Sequence, residues 1–180
     1  MKILTVITDG FEDNEAIGTI AILRRAGLDV TVSGLNSTTA RGRFQNQLVD
    51  LKNLRDLDYA SYNALVIPGG PEYILEEKDP YFLSMVKYFM SEKKIVAAIC
   101  AAPTILGHLG LLKNRNYTCF TSMNENFGGH FHDQYVVTDG NLITGRSVAA
   151  TIDFALAIVG KIQGDEAVEK LKKEIYYEER

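Results

Sequence analysis

Short apolar runs at residues 3–7, 64–67 and 95–99 predict strands that are covered on both faces of a sheet. Between the first run and a further strand at 28–33, apolar residues recur at helical spacing until Gly27 ends the helix. A strand, a helix and a strand within about thirty residues nearly always form a right-handed crossover in a parallel sheet. The pattern therefore predicts an α/β fold.

The later part of the chain adds helices and an antiparallel pair. Helical spacing predicts helices at 80–90, from 101 onward, at 148–162 and in a final segment around 168–175, and a strand at 117–121. Asp139-Gly140 between strands at 134–138 and 141–144 predicts an antiparallel hairpin. The polar segment 37–50 suggests a second small hairpin at the sheet margin. No linker, repeat or low-complexity segment divides the chain, so we expect one domain over 1–180.

Composition narrows the classes of partner. The net charge is −4, with basic residues interleaved among acidic ones, which argues against a nucleic-acid footprint and a polybasic membrane surface. No apolar run approaches the roughly 20 residues that span a bilayer. The two cysteines have no Cys-x-x-Cys spacing, and the N-terminus enters a strand without a signal-peptide pattern. We expect a cytoplasmic, reduced protein that binds small molecules or other proteins.

Cys100 is the first candidate for chemistry, because it ends an apolar strand and a helix follows at once. A nucleophile at such a junction sits on a sharp elbow that needs small neighbours, and Ala98, Ala101 and Ala102 supply them. Pro103 suits the first helical turn. The free N–H groups of the helix terminus should lower the pKa of the thiol. The alternative, a buried cysteine acting as a small hydrophobe, stays open.

Two other strand ends carry candidate groups. The loop after the first strand has Glu12, Asp13 and Glu15, and the third strand runs into Gly69-Gly70. That turn is either an anion cradle or a plain connection. Ligands of open parallel sheets bind beyond the carboxyl ends of the strands, so these groups and Cys100 could share one pocket.

The segment Gly128-Gly129-His130-Phe131-His132-Asp133 raises the question of a metal site. His130 and His132 would share one face of an extended segment. No further ligand stands at a recognisable spacing, so we favour a loop with satisfied histidines over a zinc or iron site. We expect no bound metal.

With these pieces placed, the chain resembles the ThiJ/PfpI superfamily, and within it the DJ-one branch, named after a parkinsonism-associated protein. The resemblance rests on segments 9–15, 23–27, 66–70, 97–103 and 153–156. It implies a flavodoxin-like three-layer sandwich, with a mainly parallel central sheet and helices on both faces, and a homodimer. It also implies Cys100 as nucleophile, Glu15 as its carboxyl partner, and an oxyanion cradle of Gly69, Gly70 and the Ala101 N–H.

Physical chemistry restricts the Cys100–Glu15 pair. An ionised carboxylate would repel a thiolate, so a thiolate needs a protonated Glu15, and the two groups should titrate as one unit. The chain also departs from relatives at two positions. Ala101 occupies the position where proteolytic relatives have histidine, which argues against a protease with a Cys-His dyad at the elbow. Met123 stands near where the DJ-one branch often has histidine, and His130 is the candidate substitute.

The resemblance implies a cysteine-dependent enzyme for reactive dicarbonyls. It would convert methylglyoxal to lactate as a glyoxalase, or remove early glyoxal adducts as a deglycase, with a small aldehyde or a glycated molecule as substrate. Cys100 would form a hemithioacetal, Glu15 would relay a proton, and no external cofactor is required. The main alternative is a redox-sensing stress protein or chaperone in which Cys100 oxidises to a sulfinate. A third is an inactive member kept for an interaction surface.

Overall fold

The computed structural model describes residues 1–178. The elements follow one another as β1 (Lys2–Ile7), α1 (Asp13–Arg25), β2 (Asp29–Gly34), β3 (Ala40–Arg41), β4 (Gln47–Leu48), β5 (Lys52–Asn53), β6 (Ala64–Ile67), α2 (Tyr73–Glu76), α3 (Pro80–Ser91), β7 (Ile95–Ile99), α4 (Pro103–His108), β8 (Asn116–Tyr117), β9 (His130–Phe131), β10 (Val136–Asp139), β11 (Leu142–Gly145), α5 (Thr151–Gln163) and α6 (Asp165–Glu174).

A seven-stranded sheet in the order β10-β11-β7-β6-β1-β2-β5 forms the centre of the molecule. Its neighbours pair in parallel except β10 and β11, which form the predicted antiparallel hairpin. Gly140 turns this hairpin with φ of +59°, a conformation in which glycine is favoured. The prediction of an α/β fold with a mainly parallel sheet and an added hairpin is confirmed.

Both faces of the sheet are buried, because successive residues of a strand point to opposite sides. Ile99 of β7 belongs to one apolar cluster with Phe154 of α5. Its neighbour Ala98 belongs to a second cluster with Phe89 of α3. The helices α1 and α5 cover one face and α3 covers the other, which confirms the three-layer arrangement.

The structure corrects the predicted strand at 117–121. Only Asn116–Tyr117 is extended, and it pairs in parallel with β9 in a separate two-stranded sheet. Beyond it, the Thr118 N–H bonds to the Thr144 hydroxyl and the Phe120 N–H bonds to the Cys100 carbonyl. These backbone N–H groups are therefore already hydrogen-bonded outside any β-sheet, so they cannot extend the strand beyond Tyr117.

Three other boundaries differ from the sequence pattern. The helix after Cys100 begins at Pro103 and ends after six residues, and α5 is preceded by a short 3-10 turn at Val148–Ala150. Segment 37–50 does contain an antiparallel hairpin, β3–β4, but it forms its own small sheet. Among residues 1–178, no helix combines the length and apolar character needed to cross a bilayer.

Candidate active site

Cys100 directly follows β7 and has a left-handed backbone conformation, with φ of +64°. Its N–H donates to the Gly145 carbonyl at 2.9 Å, and its carbonyl accepts from the Phe120 N–H at 2.7 Å. A non-glycine residue in this region costs about 1–3 kcal/mol and persists only where the surroundings hold it. The predicted elbow is present, and Cys100 is partly exposed.

Glu15 lies in the first turn of α1 and is fully buried. Glu12 caps this helix by accepting from the Glu15 N–H at 2.8 Å, which fixes where the Glu15 side chain leaves the backbone. Glu15 Oε2 accepts from the Gly69 N–H at 3.0 Å. Oε1 has no partner of good geometry in residues 1–178, but the Cys100 thiol is close enough for a weaker hydrogen bond that shifts the pKa of both groups.

The Gly69-Gly70 turn lies between these two residues. A Cβ on Gly69 would lie 2.5 Å from both Cys100 Cβ and Glu15 Oε2, so a side chain there would separate the pair. Gly70 has φ of +108°, and a Cβ on it would lie 2.4 Å from the Glu12 nitrogen. The three strand ends therefore meet at one place, as the sequence predicted.

Of the three N–H groups predicted to form an oxyanion cradle, those of Gly69, Gly70 and Ala101, one is already used. The Gly69 N–H is bound to Glu15 and is not free for a substrate oxygen. The N–H groups of Gly70 and Ala101 bond to no other backbone carbonyl in residues 1–178, and the Ala101 N–H favours the Cys100 thiolate. Gly70 and Ala101 are thus the two donors available to a developing oxyanion.

Burial dominates the ionisation of the pair. It raises the pKa of Glu15 from 4.5 to about 7 and outweighs the hydrogen bonds from Cys100 and Gly69, which lower this pKa, while the Glu12 charge adds a smaller rise. Burial also raises the pKa of Cys100, as do the charge of Glu15 and its hydrogen bond, while the Ala101 N–H opposes the rise. The prediction of a lowered Cys100 pKa is therefore wrong, although the Ala101 N–H acts in the predicted direction.

These shifts describe one proton held between two acidic groups. Loss of the first proton from the pair near pH 7 leaves a form that has two tautomers, thiol with carboxylate and thiolate with carboxylic acid. The second tautomer is the nucleophilic one. A carboxylate with a raised pKa is a stronger base than usual, so it takes the proton from the sulfur more readily than an exposed glutamate would.

In residues 1–178, neither accessory residue, His130 or Met123, forms a hydrogen bond with Cys100 or Glu15. His130 has an exposed side chain, and its N–H bonds to the Arg115 carbonyl at 2.8 Å. The ring of His132 bonds to Asn116. Met123 lies in a 3-10 turn three residues after Phe120, half-buried. Within the described part of the chain, no group of three or more His, Cys, Asp or Glu side chains could hold a metal ion.

Sequence reasoning missed Glu72, which follows the Gly-Gly turn. It is fully buried, and its Oε2 accepts from the Thr8 N–H at 2.6 Å. Glu76 is also fully buried. Their spacing of four places them on one helical face, but the exposed Ile74 and Leu75 between them gave no signal that the acidic face is the inner one.

Asp13, at the start of α1, binds the β3–β4 hairpin. The sequence did not predict this contact. Its carboxylate accepts from the Phe44 N–H at 2.8 Å and from the Asn46 side chain at 2.6 Å. Burial opposes ionisation, but these hydrogen bonds lower the pKa of Asp13. The hairpin thus steadies the first turn of α1, where Glu15 lies.

The Cys100–Glu15 pair does not line either of two large surface cavities. A cavity of about 500 Å³ lies against α5 and α6, and another of about 460 Å³ lies beside α1, β2 and the segment at 48–52. Neither is lined by Cys100 or Glu15. The convergence of chemical groups locates the candidate active site.

Several relatives resemble this chain over most of its length. Protein dj-1beta of Drosophila melanogaster is 31% identical over 175 residues, which cover 94% of each chain. Protein DJ-1 homolog B of Arabidopsis thaliana is 35% identical over 96% of this chain, and the match spans 40% of the plant protein.

Other relatives have names that state an activity. Glutathione-independent glyoxalase DJR-1.2 of Caenorhabditis elegans is 28% identical, covering 90% of this chain and 88% of the relative. Protein/nucleic acid deglycase 2 of Escherichia coli is 32% identical over 81% and 88%. The putative cysteine protease YraA of Bacillus subtilis is 31% identical over 81% and 89%.

Solved structures agree with the sequence comparisons. The crystal structure of Drosophila melanogaster DJ-1beta superposes with a TM-score of 0.92 at 30% identity, over 99% of this chain and 98% of that one. A cysteine-to-alanine mutant of the DJ-1 superfamily protein STM1931 from Salmonella typhimurium gives 0.90 at 32% identity over 99% of both chains. Residues 1–161 match the DJ-1/PfpI family. The chain belongs to the DJ-1/PfpI family.

Proposed function

We propose that this protein is a cysteine-dependent enzyme for reactive dicarbonyls, which converts methylglyoxal to lactate or removes early glyoxal adducts. The observation that carries the proposal is a buried carboxyl with a pKa of about 7 beside a partly exposed cysteine. That pKa suits a group that must both donate and accept a proton at neutral pH. Relatives named glyoxalase and deglycase support the same class of substrate.

The first step is addition of the Cys100 thiolate to the aldehyde carbon. A carbon–sulfur bond forms, and the carbonyl oxygen gains negative charge that the Gly70 and Ala101 N–H groups stabilise. Protonated Glu15 then gives its proton to this oxygen. The product is a hemithioacetal, and Glu15 is left as the carboxylate.

The second step moves hydrogen from one substrate carbon to the next. The Glu15 carboxylate removes the proton from the former aldehyde carbon, which gives an enediolate with its negative charge on the neighbouring oxygen. Glu15 returns this proton to the neighbouring carbon while the hydroxyl proton passes to the other oxygen. The first carbon is thereby oxidised and the second is reduced, so no external oxidant or cofactor is needed, and lactate remains as a thioester of Cys100.

The last step releases the acid. Glu15, again a carboxylate, takes a proton from water as its oxygen adds to the thioester carbon. Collapse of the tetrahedral intermediate breaks the carbon–sulfur bond and restores the thiolate beside protonated Glu15. For a glycated amine, the same nucleophile and acid would act on the adduct, with the amine as an additional product.

Lactate formation from methylglyoxal in a thiol-free buffer tests this proposal. We expect multiple turnovers by the wild type, a loss of at least about a thousandfold in Cys100→Ser, and wild-type rates in Cys119→Ser. Cys119 is the matched control because it is a fully buried free cysteine whose thiol bonds to the Phe120 carbonyl and not to Cys100 or Glu15. Wild-type turnover by Cys100→Ser would refute the mechanism.

The alternative function uses the same site as a redox sensor. Protonated Glu15 and the Gly70 and Ala101 N–H groups are donors suited to a sulfinate on Cys100. A wild type that consumes one aldehyde per chain without turnover, yet gains two stable oxygens at Cys100 in mild peroxide, would support this alternative instead.

We also propose that the protein assembles as a homodimer, as the family resemblance implies. Ile17 of α1 and Ile152 of α5 are each 38% exposed and lie on two helices that pack together. An exposed apolar face of this kind favours association. Light scattering should give twice the chain mass of 20.0 kDa, and a monomer at micromolar concentration would contradict this assignment.

A further inference from the structure

Glu72 joins the two segments that carry the candidate active site. Its side chain accepts from the Thr8 N–H at 2.6 Å, directly after β1. Its own N–H donates to the Gly10 carbonyl at 3.3 Å. Glu72, which follows the Gly69-Gly70 turn, thus hydrogen-bonds to both ends of the polar turn from Thr8 to Gly10 that leads to Glu15. The bond made by its side chain is the shorter of the two.

The burial of Glu72 is costly and therefore needs a reason. Its second oxygen, Oε1, and both carboxyl oxygens of Glu76 are buried without a hydrogen-bond partner among residues 1–178. Meanwhile Ile74 and Leu75 are 43% and 46% exposed. Turning α2 over would bury more apolar surface and expose the acids, so the observed orientation gives up hydrophobic burial to keep Glu72 inside.

The buried position of Glu72 affects the placement of Glu15 and of the Gly70 N–H group. The Glu12 N–H donates to the Gly69 carbonyl at 2.7 Å, and the Gly69 N–H donates to Glu15 at 3.0 Å. Gly70 packs against the backbone of Gly10 and Glu12 without room for a Cβ. The loop and the turn therefore form one unit, and Glu72 is the only side chain besides Glu15 that hydrogen-bonds across it in the described residues.

We propose that Glu72 is a positioning residue for the reaction of Cys100: its buried carboxyl fastens the loop from Thr8 to the Gly69-Gly70 turn, which keeps Glu15 dry and aimed at the sulfur. This inference rests on the proposed function for its kinetic consequence. Its structural consequence, the reactivity of the Cys100 thiol, is independent of the substrate.

The charges around Glu72 indicate that it acts as a neutral acid. The ionisable groups facing it are Glu76 on its own helix and Glu15 on α1, and Glu77 in turn faces Glu76. All are acidic. Burial, and then the charges of Glu76 and Glu15, hold the pKa of Glu72 well above its usual value despite the Thr8 hydrogen bond. A glutamine, which accepts the same hydrogen bond without a charge, should therefore replace it.

The test compares Glu72→Gln with Glu72→Met, which has similar volume and no acceptor. The matched control is Glu76→Met, an equally buried acid on the same helix with no bond to the loop. We would measure the rate constant for alkylation of Cys100 by iodoacetamide from pH 5 to 9, together with kcat and KM for methylglyoxal and the Tm of each variant.

We expect Glu72→Gln and Glu76→Met to stay within twofold of the wild-type alkylation rate at pH 7. Glu72→Met should fall at least fivefold, because a hydrated Glu15 is a weaker base and withdraws the thiol proton less well. Its kcat should fall by a similar factor with KM changed less than twofold. Equal losses in the Gln and Met variants, or wild-type alkylation in a folded Met variant, would overturn the inference.

Two further outcomes are decisive. If Glu72→Met does not fold, Glu72→Asp, which withdraws the oxygens by one methylene, must lower the alkylation rate, and a wild-type rate would overturn the positioning role. If the wild type forms no lactate, the dicarbonyl function fails, but the ordering of the alkylation rates still decides whether Glu72 positions the pair.

Discussion

The proposed chemistry depends on two side chains, Cys100 and Glu15, each of which opposes the ionisation of the other. Cys100 is held in a left-handed conformation at the end of β7, and Glu15 is buried against it. Burial raises the pKa of each, to about 7 for Glu15. The thiolate therefore forms by transfer of its proton to Glu15, not by loss of a proton to water, and reactivity is tied to the pair.

At the residue scale, this account predicts selective labelling of the two cysteines. Cys100 is partly exposed, whereas Cys119 is fully buried and burial raises its pKa to about 12. Native wild type treated with iodoacetamide at pH 7 should gain one adduct, and Cys119→Ser should also gain one. Cys100→Ser should gain none, as judged by intact mass. An adduct on native Cys100→Ser would show that the burial described for Cys119 is incorrect.

At the scale of elements, a turn and a helix start are fitted together without spare room. The backbone of Gly10 and Glu12 occupies the space where a side chain on Gly70 would lie. Two hydrogen bonds connect Gly69 to Glu12 and Glu15. A shift of β1, α1 or β7 relative to one another would therefore move the reacting groups, Cys100 and Glu15.

Gly70→Ala tests this fit. Gly70 and Gly110 both have positive φ, +108° and +73°, but only Gly70 is crowded, since a Cβ on Gly110 meets nothing within 4 Å. Both alanine variants should lose about 1 kcal/mol from backbone strain. Only Gly70→Ala should also lose at least tenfold in kcat/KM. Equal activity of the two variants would show that the turn tolerates displacement.

Most of the secondary-structure elements could be predicted from the sequence. Apolar runs located the four central parallel strands, and Asp139-Gly140 located the hairpin, because both signals are local. The strand ends also identified Glu15, Gly69 and Cys100 as neighbours. The early end of β8 and the burial of Glu72 were missed because they depend on partners distant in sequence, Thr144 and Thr8 respectively. The pKa of Cys100 was predicted in the wrong direction because its largest cause, the burial of Cys100 itself, depends on tertiary packing that the sequence does not show.

At the scale of the whole molecule, buried acids make stability depend on pH. Glu15, Glu72 and Glu76 all have raised pKa values in the folded state, relative to an ordinary value of 4.5. The folded state then binds more protons than the unfolded state at pH values above 4.5. The stability contributed by these groups is complete below that pH and is lost as pH rises toward their folded pKa values.

Glu76→Met should reduce this dependence. Neither oxygen of Glu76 has a hydrogen-bond partner in residues 1–178, so its replacement by an apolar side chain should raise the free energy of unfolding at pH 8 by about 1–3 kcal/mol. The gain should shrink as pH falls toward 4.5. Urea unfolding at several pH values measures it, and a variant that is less stable than the wild type at pH 8 would contradict the argument.

The most direct test of the shared proton is the pH dependence of kcat/KM for methylglyoxal in wild type and Glu15→Gln. We predict that wild-type activity rises with pH through an apparent pKa of about 7, the value of Glu15. In Glu15→Gln, activity should be lower by about 10²–10⁴ and this rise should be absent. The same rise near pH 7 in Glu15→Gln would contradict the account, because another group would then control the reactivity of Cys100.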